Sequence, residues 1–227
     1  MLYALGSPGS LALLLVSFVV AVTLHGWVQS VVAARAGDRT PAVEGRTAPD
    51  PRRQLDPFGA VSAAIVGIGW SKQVEPPDHR QRNSMIRVLL SGAAANLVVG
   101  TAALAALRLV STDAGGVVAL VGPSRLLQSG IGGDLVPRVL LLFGLANLMT
   151  GLLSLVPIPP LPGGRLLFGL APRSAGWQKA EHHLVERNIG VAILLALLLI
   201  PLGGPQPLLP TLLDILAGPF VRLVTGG

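Results

Sequence analysis

Few residues of this sequence could bind a metal or move a proton, and several of them fall inside apolar stretches. The chain has four histidines and no cysteine, so any metal site must use His, Asp or Glu. His25 and Gln29 lie four residues apart, on one face of a predicted helix. Asn96, Asn147 and Ser154 lie in later apolar runs. Polar residues inside membrane helices often mark functional sites, although each could instead make an inter-helix hydrogen bond worth about 0.6–2 kcal/mol.

The composition is that of an integral membrane protein. Of the 227 residues, 51% are hydrophobic and only 12% are charged, and the mean hydropathy is +0.66. Soluble chains carry about 25% charged residues. The net charge of +6 comes mainly from arginine, which in a membrane protein reflects orientation rather than nucleic-acid binding. The expected surroundings are therefore a lipid bilayer, with no nucleic-acid partner.

The apolar runs predict an all-α polytopic membrane protein with about five to six transmembrane helices. The predicted spans cover roughly 9–34, 86–110, 136–160, 188–203 and 208–225. The apolar stretch Pro57–Trp70 is too short for a full span, which favours a re-entrant or interfacial segment. The segment Thr40–Thr47 is predicted to form a small cytoplasmic β-hairpin around Gly45.

Arginine placement predicts the orientation. The segments Arg35–Arg87 and Arg165–Arg187 hold most of the basic residues, whereas Ser111–Val136 has only Arg125. By the positive-inside rule, the two basic segments are cytoplasmic and the third is outside. His25 then lies toward the cytoplasmic end of the first helix.

The order of the motifs resembles the site-2 protease family, in its compact bacterial branch without a PDZ domain. The motifs are HGWVQSVVAARAGDRTP, LDPFG, GWSK, SGAAANL and VPIPPLPGGR. This resemblance implies a single site-2 protease-like membrane domain over residues 1–227. It also implies a multi-pass protein of the bacterial cytoplasmic membrane.

The resemblance also implies where the family's catalytic residues would lie. Its enzymes bind zinc through the two histidines of an H-E-x-x-H helix and a distant Asp, and the Glu acts as general base. Here the first histidine is present as His25, while Gly26 stands at the base position and Gln29 at the second histidine. Pro162 stands at the Asp position, and Ser154 at an Asn position linked to substrate binding. We therefore expect no catalytic residues, no cofactor and no metal, with His25 a vestigial ligand.

The predicted function is that of a pseudoprotease, which binds or regulates a membrane client or partner without cleaving it. The predicted client-binding or vestigial groove comprises His25, Gln29, Asn96, Asn147, Ser154 and Pro162. One alternative is an active zinc protease with a rearranged site, which would recruit His79 or the pair His182 and Glu186. Another is a transporter or channel subunit, for which Asp214 is the one candidate acidic residue within a span.

Overall fold

The computed structural model describes residues 1, 4–75, 82–111, 114–172, 174–201 and 206–226. Every regular element in these ranges is a helix. They are α1 (Pro8–Arg35), α2 (Thr40–Val43), α3 (Pro51–Gln54), α4 (Pro57–Val66), α5 (Arg82–Val110), α6 (Ala114–Val121), α7 (Pro123–Ser129), α8 (Leu135–Ser154), α9 (Pro162–Leu170), α10 (Ala175–Glu181), a short π-helix (His182–Glu186), α11 (Ile189–Leu199) and α12 (Leu208–Thr225).

The prediction of an all-α polytopic membrane protein is confirmed. Four helices, α1, α5, α8 and α12, are long and apolar enough to cross a bilayer. The helical stretch Ala175–Glu186 bends by 69° into α11, and this pair gives a fifth span if it is counted as one. Helix α8 ends at Ser154 and not near residue 160 as expected. The prolines of VPIPP explain the early end, because proline lacks the N–H that a helix interior needs.

Helices α1, α5 and α8 form the central bundle, and glycines let them approach closely. A Cβ on Gly100 of α5 would lie 2.8 Å from the backbone nitrogen of Leu148 in α8. A Cβ on Gly144 would lie 2.8 Å from Leu104, and one on Gly151 would lie 3.0 Å from Leu97. Small residues at such contacts are how membrane helices gain van der Waals packing. The same contacts fix the antiparallel register of α5 against α8.

The two ends of the segment around α4 lie side by side, as expected for a re-entrant or interfacial segment; it is called the re-entrant element below. Asp56 caps the helix by accepting a bond of 2.9 Å from the backbone N–H of Gly59. The helix ends at Gly67, whose φ of +79° suits glycine. The chain then returns, so that Leu55 and Ser71 pair in an antiparallel bridge. Ten residues of helix rise about 15 Å, half of a hydrocarbon core of about 30 Å.

The predicted β-hairpin over Thr40–Thr47 is wrong. Thr40–Val43 forms α2, a single helical turn, and within the described ranges no strand is present. The backbone N–H of Val43 bonds the carbonyl of Arg39 at 3.0 Å, and that of Glu44 bonds the carbonyl of Thr40 at 3.0 Å. Pro41 lies in the first turn, where its fixed φ favours a helix and its missing N–H costs nothing.

Asp214 of α12 joins that helix to α7. Its carboxylate accepts two bonds from Ser124, at 2.8 Å from the backbone nitrogen and 2.5 Å from Oγ. Ser124 lies in the first turn of α7, where free backbone N–H groups favour an acceptor. The acidic residue that the sequence analysis put within a span therefore has a hydrogen-bond partner on a neighbouring helix.

Candidate functional site

His25 lies in the contact between α1 and α5. Its side chain is buried, with a relative exposure of 2%. A Cβ on Gly92 would lie 2.8 Å from its Nε2, so the absence of a side chain at that position makes room for the ring. Within the described chain its Nδ1 has no hydrogen-bond partner. The ring is thus held by packing rather than by a polar partner.

Gly26 leaves a space that Gln54 fills. A Cβ built on Gly26 would collide with Oε1 of Gln54 and lie 3.2 Å from its Cδ. Gln54 is the last residue of α3 and is fully buried. The position at which the family resemblance puts a catalytic glutamate therefore faces the carboxamide of a second residue.

Gln54 belongs to a buried network organised by Arg46. Its Nε2 donates to the carbonyl of Arg46 at 2.8 Å, and Nη2 of Arg46 donates back to Oε1 at 3.3 Å. The guanidinium also donates to the carbonyls of Lys72 and Gln73, both at 2.7 Å. The backbone N–H of Lys72 completes the set by donating to the carbonyl of Gln54 at 2.6 Å. Arg46 thus ties the segment after α2 to α3 and to the chain leaving the re-entrant element.

Burial affects the charge of this arginine. The relative exposure of Arg46 is 3%. Desolvation lowers the pKa of the Arg46 guanidinium from its ordinary value, and the carboxylate of Glu44 opposes that shift. Three carbonyl-type acceptors around the guanidinium satisfy most of its donors, which is what a buried arginine requires.

Gln29 and Ser154 are engaged with backbone groups. Nε2 of Gln29 donates to the carbonyl of Leu89 in α5 at 3.0 Å. Oγ of Ser154 donates to the carbonyl of Gly151 in its own helix at 2.7 Å. Both side chains are buried. Each therefore serves helix packing or local helix geometry in this structure.

Asn96 and Asn147 each have one side-chain oxygen without a hydrogen-bond partner in the described part of the chain. Nδ2 of Asn96 donates to the carbonyl of Ala21 in α1 at 3.1 Å. Nδ2 of Asn147 donates to the carbonyl of Phe143 at 2.9 Å. Among the residues with described structure, neither Oδ1 has a partner, although both side chains are fully buried. Unsatisfied buried acceptors are costly, so these oxygens are places where a water or a ligand group would be stabilised.

Most of the predicted groove residues lie on the three central helices. His25, Gln29 and Asn96 meet in the contact between α1 and α5. Ser154 follows the contact of Gly151 with α5 by about one turn, and Asn147 precedes it by about one turn. Pro162 is buried at the first position of α9. The next residue, Gly163, packs against the carbonyls of Leu155 and Val156, just after α8.

These residues do not form a zinc site of the usual kind. A catalytic zinc needs three protein ligands and an open position. Of the positions compared above, only His25 offers a side chain that commonly binds zinc. Gln29 is a neutral amide, Gly26 has no side chain, and the side chain of Pro162 has no atom that could bind a metal. Over the described ranges no three His, Cys, Asp or Glu side chains form a metal-binding group. The donor set therefore does not fit zinc.

The other histidines do not complete the site in the described structure. On the short π-helix after α10, His182 is exposed and His183 is half-buried. Nδ1 of His182 pairs with the carboxylate of Glu186, and Nδ1 of His183 bonds the carbonyl of Lys179 at 2.8 Å. His79 lies outside the described residues.

Sequence reasoning missed Gln54 and Arg46. Both occur in a polar stretch that the sequence marks only as a connection between apolar runs. One signal was available, because a glycine at position 26, inside a long apolar helix, leaves room for a side chain from elsewhere in the chain. Nothing in the local pattern says which residue fills that room.

Comparison with known proteins gives one informative relative. The chain is 29% identical over 195 residues to "Putative zinc metalloprotease YwhC" of Bacillus subtilis (strain 168). The alignment covers 84% of this chain and 82% of that protein. No protein family matches in a family scan, and no solved structure matches. The chain is thus similar, over most of its length, to a protein named as a putative zinc metalloprotease.

Proposed function

We propose that this protein is a pseudoprotease of the bacterial cytoplasmic membrane, which binds a single-span membrane client or partner without cleaving it. The observation that carries the proposal is the position of Gln54. Its carboxamide fills the space beside Gly26, where the site-2 protease resemblance puts the general base. A carboxamide has no basic group to take a proton from water.

The remaining positions support the same proposal. The side-chain N–H of Gln29 donates a hydrogen bond to the carbonyl of Leu89. The side chain therefore presents a hydrogen-bond donor, and not an acceptor lone pair, to α5. Pro162 begins α9 and offers no ligand. Zinc bound by His25 alone would be weakly held and would have no fixed geometry.

Client binding is the function that the retained features still permit. A membrane helix hides its peptide groups in its own hydrogen bonds, so a captured segment must expose some of them to be recognised. In the described structure Asn96 and Asn147 each keep a buried side-chain oxygen without a partner, and a client segment would have to separate the helices to reach these acceptors. We place this groove toward the cytoplasm, in line with the arginine distribution.

Zinc content and cleavage test the loss of catalysis. The protein is purified without a metal-binding tag, as wild type and as His25→Ala, and its zinc is measured by elemental analysis. We expect zinc well below one per chain in both. Stoichiometric zinc that His25→Ala removes would instead support the alternative of an active protease with a rearranged site, which the name of the relative favours.

Capture is tested with a synthetic single-span peptide. The peptide carries a fluorophore and a central Asn-Pro pair that loosens its helix, and a second peptide has an unbroken Leu-Ala span. Both are mixed with the protein in lipid nanodiscs. We expect tighter binding of the loosened peptide and its recovery at full length by mass spectrometry. Shortened products that require His25 contradict the pseudoprotease, and equal or absent binding of the two peptides contradicts capture.

A further inference from the structure

A cavity of about 340 Å³ lies between α12 and the pair α6 and α7. Its α12 wall consists of Asp214, Ile215, Gly218, Pro219 and Arg222. Volumes of about 300–1,000 Å³ are typical of sites for small ligands. None of these wall residues belongs to the predicted groove, so the cavity is a separate feature of the chain.

Opposite charges lie at the two ends of this wall. Asp214 and Arg222 are eight residues apart on α12, which is about 12 Å along the helix axis. Within the described ranges neither forms an ion pair. Between them Gly218 has no side chain, and a Cβ built there would meet no atom within 4 Å. The wall therefore presents a carboxylate and a guanidinium with open space between them.

The negative end offers acceptors in fixed positions. Ser124 donates two bonds to the carboxylate of Asp214, which has about four acceptor sites, so that sites remain for a ligand. Pro219 adds another acceptor, because it has no N–H to donate to the carbonyl of Ile215 one turn earlier. Ile215 and Pro219 both line the cavity. This end of the cavity therefore suits a group with several N–H donors.

The cavity lies beside the lipid-facing surface of α12. This helix is long and apolar enough to cross a bilayer, and Ile215, Leu216 and Leu223 on it are exposed. Exposed apolar side chains on a membrane span contact lipid tails, which are as apolar as leucine. Since Ile215 both lines the cavity and is exposed, a ligand can enter from the bilayer.

The pair of charges selects a zwitterionic headgroup. A primary ammonium has three N–H donors for carboxylate and carbonyl oxygens, as the ammonium of lysine does. A phosphate pairs with the guanidinium of Arg222 through charge-assisted hydrogen bonds. A headgroup with only negative charge would meet the carboxylate of Asp214, and a choline headgroup has no N–H to donate. Ethanolamine phospholipids carry both of the groups that the cavity can bind.

We propose that this cavity binds the headgroup of an ethanolamine phospholipid. The ammonium donates to Asp214 and to the carbonyl of Ile215, and the phosphate accepts from Arg222. The acyl chains lie along the exposed face of α12. Because Ser124 of α7 holds Asp214, the bound lipid also stabilises the contact between these two helices.

Competition between lipids tests this assignment. The detergent-purified protein is mixed with equimolar short-chain phosphatidylethanolamine, phosphatidylcholine and phosphatidylglycerol, and bound lipid is counted by native mass spectrometry. We expect about tenfold more bound phosphatidylethanolamine than phosphatidylcholine, as charge-assisted hydrogen bonds to one group allow. Equal occupancy by the three lipids overturns the proposal. So does displacement of the lipid by an equal concentration of soluble phosphoethanolamine, which would assign the cavity to a soluble ligand.

The two charges should act differently. Asp214→Asn, which keeps an oxygen for Ser124, should reduce the preference for phosphatidylethanolamine over phosphatidylcholine to less than about twofold. Arg222→Gln should weaken binding of both lipids about tenfold and keep the preference, because both contain the phosphate. Arg125→Gln removes an exposed arginine from α7 and should change neither quantity. Equal effects of Arg222→Gln and Arg125→Gln would indicate diffuse attraction by net charge and overturn the proposal.

Gly218→Leu tests the location without removing a charge, and it decides the matter even if Asp214→Asn does not fold. A side chain at this position has room in the protein but occupies the gap between the two charges. We expect the preference for phosphatidylethanolamine to be lost. Gly176→Leu, at a position in α10 with equally open surroundings, should bind lipid like the wild type. An unchanged preference in Gly218→Leu would put the lipid elsewhere and overturn the proposal.

Discussion

The carboxamide of Gln54 lies in the space into which a side chain at Gly26 would project. The overlap is direct, because a Cβ there would lie 3.2 Å from Cδ of Gln54 and closer still to its Oε1. Gln54 is held in this position by Arg46, at 2.8 Å through its Nε2 and 3.3 Å through its Oε1. The two positions must therefore be considered together, and either one changed alone should disturb the other.

The first prediction concerns this pairing. Gly26→Ala should destabilise the protein by about 1–3 kcal/mol through overpacking. In a helix that does not meet a neighbour, the same change would stabilise by about 1 kcal/mol. In the background of Gln54→Ala, which vacates the space, Gly26→Ala should be neutral or stabilising. Unfolding of the four proteins in detergent gives the coupling energy, expected to exceed about 0.5 kcal/mol.

Gly176 supplies the control for that cycle. It lies in α10, and a Cβ there would meet no atom within 4 Å. Gly176→Ala should have the same effect with and without Gln54→Ala. Additive effects of Gly26→Ala and Gln54→Ala would show that Gln54 does not occupy the space beside Gly26.

The second prediction concerns Arg46, which holds the extended segment after Trp70 against the bundle. Arg46→Met should free the carbonyls of Lys72 and Gln73 and leave buried acceptors unsatisfied, at a cost of about 1–3 kcal/mol. Val74, which packs against Ala33 and Val88, should then become accessible. Because the chain has no cysteine, Val74→Cys is a single reporter for maleimide labelling.

We expect Val74→Cys to be protected with Arg46 present and labelled with Arg46→Met. Val43→Cys is the matched positive control, since Val43 is 86% exposed on the neighbouring α2. It should react equally in both backgrounds. Protection of Val74→Cys in both backgrounds would mean that packing alone holds the segment and that the arginine is dispensable.

The fold and the site differ in how far the sequence could predict them. The long apolar runs specify α1, α5, α8 and α12, because only a helix satisfies its own backbone within a bilayer. The run Pro57–Trp70 is too short to span and indicates a re-entrant or interfacial segment, and the structure brings its two ends together. Gln54 could not be assigned, because its position depends on Arg46 and on the chain folding back at Gly67. The failed hairpin at Thr40–Thr47 has the same origin, since the turn signal at Gly45 does not distinguish a hairpin from the end of a helical turn.

The third prediction concerns the re-entrant element. Leu55 and Ser71 face each other across an antiparallel bridge. Such pairs place their Cα atoms about 4.5–5.5 Å apart, which allows a disulfide. The double variant Leu55→Cys/Ser71→Cys should therefore form an intramolecular disulfide under mild oxidation, detected by mass spectrometry of its peptides. Val61→Cys/Ser71→Cys, with one cysteine on the exposed face of α4, should not. If Pro57–Trp70 crossed the membrane instead, residues 55 and 71 would lie on opposite sides and no disulfide would form.

The fourth prediction asks what introducing the residues of a site-2 protease zinc site would require. The triple variant Gly26→Glu/Gln29→His/Pro162→Asp supplies the residues that the resemblance puts at these positions. We expect it to bind little zinc, because Gln54 still fills the space beside position 26 and Arg46 holds Gln54 there. Adding Gln54→Ala should raise the zinc content toward one per chain and make the melting temperature rise with added zinc.

The melting temperature provides a readout that is independent of catalysis, and His25→Ala in the quadruple variant is the control. It should abolish both the zinc content and the thermal shift, because the first ligand is then missing. Equal zinc in the triple and quadruple variants would mean that Gln54 does not obstruct the site. If zinc binds only after Gln54→Ala, the packing of Gln54 against position 26 is what prevents a zinc site from forming there. A side chain introduced at Gly26 alone would then meet a filled space, so Gly26 and Gln54 would have to change together.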